Sequence, residues 1–203
     1  MKLNLNYILI INFFISISKQ VLGNPMGLCK FPNIPVHSFE DEDSVCVNMA
    51  PRNGRYPPEN SPCPWKIFTF DRTIRPSHIQ PVTLGSTDGA KIFDRYIIKA
   101  LPLNKTYGRE FLGHFEPQWD AEPVCCNGVT FPNMLVSSKV RPANPNETVL
   151  WTAPRDYLGD FVFIVTFAIS SRKYWFSERS DVVTVVPDCP TCIHPSHPDN
   201  PLV

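Results

Sequence analysis

Proline occurs 22 times in this 203-residue chain, spread from Pro25 to Pro201. Each one fixes φ at about −65° and removes a backbone donor. Long helices cannot form across such a sequence. Short strands joined by stiff turns can, because turns and edge positions tolerate the missing donor.

The stretches between turn residues read as strands at 65–70, 79–85, 90–100, 112–116, 147–153, 160–169, 173–176 and 181–187. In the longest, Phe161, Phe163, Val165, Phe167 and Ile169 share one face. Val162, Ile164, Thr166 and Ala168 share the other. An apolar second face implies a central strand covered on both sides. No stretch sustains a 3.6-residue apolar repeat, and residues 46–62 read as loop and extended chain. The expected fold is all-β: an aromatic-rich, antiparallel β-sandwich of two sheets.

Residues 1–23 stand apart. MKLNLN, the apolar YILIINFFISIS and KQVLG have the order of a secretory signal peptide. The apolar part is shorter than the roughly 20 residues of a membrane span. FVFIVTFAI at 161–169 is also too short, so no membrane span is expected and the mature protein is expected to be extracellular. The charges of the signal segment are Lys2 and Lys19. Without them 17 basic residues face 19 acidic ones, a net of −2. That balance argues against nucleic acid as the partner, since such binding rests on a basic excess. The expected organisation is a signal peptide at 1–23, a domain at 24–187 with a polar lead-in at 24–45, and a Pro/Cys/His-rich tail at 188–203.

All seven cysteines follow residue 23. In an oxidising compartment they should pair, and with one thiol left over 105 pairings remain. Cys125 and Cys126 are adjacent and are expected to reach different partners, because bonding to each other strains the backbone. Asn104-Lys105-Thr106 and Asn146-Glu147-Thr148 are acceptor triplets for N-glycosylation in turn-like stretches.

The cluster CPTCIHPSH, Cys189 to His197, holds four potential metal ligands. Structural zinc sites separate their two ligand pairs by about a dozen residues. Here Cys192 and His194 are one residue apart, so the cluster reads as a local disulfide or a tie back to the domain. No metal or other cofactor is expected. His37, His78 and His114 stand in no nucleophile-elbow or zinc-protease motif, and no enzyme is expected.

A domain-wide pattern resembles the Reeler domain family. It opens with Cys46-Val47-Asn48-Met49-Ala50-Pro51, Gly54 and the turn at Pro57-Pro58. It continues through Phe93-Asp94-Arg95-Tyr96-Ile97-Ile98-Lys99-Ala100, Gly113-His114-Phe115, Val129-Thr130 and Trp151-Thr152-Ala153-Pro154. Gly159, Phe161, Phe163, Thr166 and Tyr174-Trp175 close it. The departures are Asn53 and Phe131 where the family carries histidines, and Arg95 in place of a glycine. The resemblance implies an immunoglobulin-like sandwich stapled by a disulfide from Cys46 to Cys126, in preference to Cys125. It places Met49, Trp151 and Trp175 in the core.

Small secreted Reeler proteins serve invertebrate defence, so the resemblance implies a non-enzymatic protein that recognises microbial surface glycans or lipids. Arg52, Arg55, Arg72 and Arg75 are the expected contacts to anionic groups. The alternative is an extracellular-matrix or signalling module that binds host proteins or sulfated glycans.

Overall fold

A computed structural model describes residues 42–188 of the protein, apart from 52–55, 87–90, 105–107, 109, 119–120, 130, 138–145 and 171. Residues 1–23, expected to be a signal peptide, the expected lead-in as far as residue 41 and the cluster at 189–197 lie outside the described residues.

Among the described residues the chain forms one short α-helix, α1 (Glu42–Asn48), and then strands β1 (Trp65–Thr69), β2 (Thr73–Ile74), β3 (Ile79–Ser86) and β4 (Arg95–Pro102). Next come β5 (His114–Phe115), β6 (Ala121–Val124), β7 (Met134–Ser137) and β8 (Asn146–Thr152). The series ends with β9 (Gly159–Ser170), β10 (Lys173–Arg179) and β11 (Val183–Val185). They build two sheets. The smaller has the order β1-β3-β8-β5, and the larger β2-β11-β9-β4-β7-β6, with β10 also paired to β9. Pairing is antiparallel except at one edge, where β11 runs parallel to β2.

β9 organises the molecule. Phe161, Phe163, Val165 and Phe167 enter the core between the sheets. Val162 and Ile164 enter a second apolar cluster on the far side of the larger sheet, under α1. Thr166 and Ala168 are buried on that side as well, so β9 is covered on both faces. Only its end departs from the expected alternation: Ile169 is exposed.

Three buried tryptophans fill the space between the sheets and tie loops to it. Trp65 lies 5.1 Å from Trp175, and Trp151 lies 4.8 Å from Phe161, measured between ring centroids. Each indole N–H donates to a loop carbonyl: Trp65 to Lys91, Trp175 to Ser61 and Trp151 to Leu112. A buried indole needs such a partner, and here the partners fix connections that have few bonds of their own.

The helix corrects the reading of 46–62 as starting in loop, and Val45, at the end of the supposed polar lead-in, is wholly buried. Between Pro35 and Pro51 the chain has no proline to interrupt a helix. Met49, at φ 48, donates its N–H to the Val45 carbonyl and ends the turn. Val45, Cys46 and Met49 face the larger sheet.

Three strands escaped the sequence pattern. β2 is two residues long. β6 contains Pro123, tolerable because β6 is the outermost strand of its sheet. β7 is buried at all four positions and so shows no alternation. Two expected strands shorten, 112–116 to β5 and 90–100 to a start at Arg95.

Candidate functional site

The disulfide joins α1 to the far end of the larger sheet. Cys46 and Cys126 are bonded, with Cα atoms 5.5 Å apart and a sequence separation of 80. Cys125 is disulfide-bonded as well. Cys126 opens a 3-10 turn, Cys126–Gly128, in which Asn127 takes the left-handed conformation at φ 61. Asn133 holds that turn from across the loop. Its Oδ1 accepts from the Cys126 N–H at 2.8 Å, and its Nδ2 donates to the Cys126 carbonyl at 3.0 Å. The side chain is buried, and sequence reasoning had not singled it out.

Beside this turn lies a cleft of about 1030 Å³. Three connections form it: the β4–β5 loop through Glu110, Phe111 and Gly113, the segment from Asn127 to Asn133, and the β8–β9 loop from Thr152 to Asp156. Loops at one end of a rigid sandwich are where binding residues concentrate.

The core fixes the cleft walls. Trp151, fully buried, holds the first loop through Leu112, and Gly113 passes directly over it. Gly113 sits at φ 63, and a Cβ there would lie 2.3 Å from Thr152 O and 2.5 Å from the indole. Only glycine fits this approach. Beneath Phe111, the Lys99 ammonium lies 4.7 Å from the ring centre. Burial lowers the Lys99 pKa, and the nearby charge of Glu110 opposes the shift.

At the rim, Phe131 is 41% exposed and meets His114 edge-on, their centroids 6.4 Å apart. His114 Nε2 stands 3.7 Å from Glu116, which also accepts a hydrogen bond from the Thr152 hydroxyl at 3.3 Å. Arg155 projects from the β8–β9 loop and makes no ion pair among the described residues.

The arginines expected to meet a ligand are placed differently. Arg72 is bonded to Asp181 at 2.6 Å and Arg75 faces Asp188 at 4.0 Å, away from the cleft lining. Arg52 and Arg55 lie outside the described residues. Met49, Trp151 and Trp175 are core residues. Asn104 and Asn146 are exposed, the first just after β4 and the second at the start of β8. Cys63 is the free thiol among the described residues. It lies half-buried against the core, and burial pushes its pKa up to about 11. The described residues contain no cluster of three or more metal-ligating side chains, and none of their helices is long and apolar enough to cross a membrane.

These features define a disulfide-stapled β-sandwich with a cleft framed by loops at one end. The Reeler domain profile matches residues 44–191, and the chain belongs to that family. A Hyphantria cunea protein, provisionally named defense protein Hdd11, is 28% identical over 146 residues, covering 71% of this chain and 86% of that protein. A Drosophila melanogaster protein, provisionally named ferric-chelate reductase 1 homolog, is 29% identical over 151 residues, but the match spans 22% of its length. Among solved structures, the human F-spondin reeler domain superposes with a TM-score of 0.50 at 16% identity, covering 64% of this chain and 95% of that one. That likeness concerns the fold.

Proposed function

We propose that the protein is a secreted, non-enzymatic recognition protein of innate defence, which takes microbial surface glycans or lipids in the loop-framed cleft. The observation that carries this reading is the pairing of an exposed aromatic ring, Phe131, with the Arg155 guanidinium around one opening. An aromatic face suits the apolar side of a sugar ring, and a guanidinium suits hydroxyl, carboxylate or phosphate oxygens. The similarity in length and sequence to a protein named for defence supports it. No catalytic constellation and no cofactor enter the reading.

The test is sedimentation of the secreted protein with heat-killed Gram-negative and Gram-positive bacteria and yeast. The expected result is saturable binding, reduced at least tenfold in Phe131→Ala and Arg155→Ala. Both side chains are on the surface, so the fold should tolerate the changes. Retention on heparin at physiological salt without binding to any of these cells would instead favour a matrix or signalling role.

A further inference from the structure

The outer face of the smaller sheet is unusually apolar for a surface. Its outward positions follow from the register, in which Phe68 is opposite Thr83, Thr83 opposite Thr148, and Pro81 opposite Leu150. Phe68, Phe70, Ile79 and Leu150 are exposed, Phe70 by 82%, and Pro81 lies between them. By the register Pro81 lies beside Leu150 and diagonal to Phe68, so these three are neighbours on the face. Pro81 can stand inside β3 because the β1–β3 ladder ends at Thr69↔Val82, so its missing donor breaks no bond on that side. Neighbouring exposed apolar side chains of this kind are the mark of a surface that something covers.

Asn146 opens β8 on the same face. Positions 146, 148 and 150 alternate outward along the strand, and Asn146 is exposed. Leu150 is four residues along from it, about 13 Å at a strand rise of 3.3 Å; Lys66 lies directly two strands across, and Phe68, two residues further along β1, is about 12 Å away at 4.8 Å per strand. The Thr148 and Thr83 hydroxyls, 2.9 Å apart, form a polar step between Asn146 and Phe68. The acceptor triplet thus starts beside the patch and points the same way.

We propose that Asn146 carries an N-linked glycan that folds back over this face and covers the Phe68–Leu150 patch. The proposal rests on the reading that the protein is secreted. In the modification, the Asn146 side-chain nitrogen attacks the anomeric carbon of a lipid-pyrophosphate-linked oligosaccharide. A C–N bond forms, the C–O bond to the pyrophosphate breaks, the amide loses a proton and the lipid pyrophosphate leaves. The apolar C–H faces of the sugars nearest the protein then lie on Phe68 and Leu150, and their hydroxyls face water.

The experiment uses the full chain expressed in insect cells. Site occupancy is read by mass spectrometry after enzymatic release of glycans in 18O-labelled water. Binding of the dye ANS and sedimentation velocity are then compared for the glycoprotein, the released protein and Asn146→Gln. The expected result is occupancy at Asn146, a several-fold rise in ANS fluorescence on release, and self-association that Phe68→Ser with Leu150→Ser abolishes. Secreted protein with Asn146 unmodified overturns the proposal and leaves the secretion reading intact; retention in the cells overturns both. Release without change in ANS binding or sedimentation overturns the cover, as does a glycoprotein that already dimerises through Phe68.

Discussion

The Trp151 indole N–H donates to the Leu112 carbonyl at 2.9 Å, and this bond links the centre of the core to the wall of the cleft. Gly113, next in the chain, lies against the same indole. Packing and binding geometry are therefore one problem at this point. Gly113→Ala is expected to destabilise the protein by about 3 kcal/mol or more, because the Cβ meets backbone and a packed ring at a left-handed φ. Urea unfolding of the variant measures it, and a loss under 1 kcal/mol would show that the loop relaxes away from Trp151.

Asn133 makes the second link. Asn133→Ala leaves the N–H and carbonyl of Cys126 without their partner in a buried turn. The expected cost is about 2–4 kcal/mol, from one to three for each group stranded, less any rescue by water. Asn133→Asp keeps the acceptor and loses the donor, so it should fall between the wild type and alanine. Thermal unfolding of the three proteins gives the order, and an aspartate variant as stable as the wild type would remove the Nδ2 bond from the account.

The bond between Cys46 and Cys126 closes a loop 80 residues long. In the chain-entropy treatment such a closure contributes about 4.5 kcal/mol, mainly by restricting the unfolded chain. Replacing both cysteines by serine should lower the denaturation midpoint accordingly. Replacing only one would also leave a new thiol free to exchange with Cys125, so the double variant is the cleaner measurement. A double variant within 1 kcal/mol of the wild type would mean that packing of Val45 and Met49 alone holds α1 on the sheet.

The sandwich was legible because its strongest strands obey a two-residue period: β9 could be read from Phe161 to Phe167 without any other information. What stayed hidden has physical reasons. β7 is apolar on both faces, and β6 contains a proline that only its edge position makes acceptable. α1 has seven residues, too few for a helical period to show. The cleft was less legible than the fold. Arg155 and Phe131 line the same cleft from two different loops, and no local motif marks either of them as a ligand contact. The arginines that were visible, Arg72 and Arg75, stand opposite the acidic residues Asp181 and Asp188, from which they are separated by more than a hundred positions.

Cys63 gives a prediction in pH. Desolvation raises its thiol pKa to about 11 from the ordinary 9.0, with the Trp65 backbone bond working against the shift and the charge of Glu178 adding to it. The thiolate is the reactive form. At pH 9 an unhindered thiol is half ionised, while one at 11 is ionised to about 1%, so alkylation of the folded protein should be roughly fifty-fold slower than in urea. The same shift links to stability. Because the folded pKa lies above the unfolded one, the contribution is complete below pH 9 and is lost as pH rises from 9 through 11. Cys63→Ala should flatten that alkaline loss relative to the wild type. Iodoacetamide kinetics at pH 9, with and without urea, decide the first part; equal rates in the two states would mean that Cys63 is open to solvent and reagent in the folded protein.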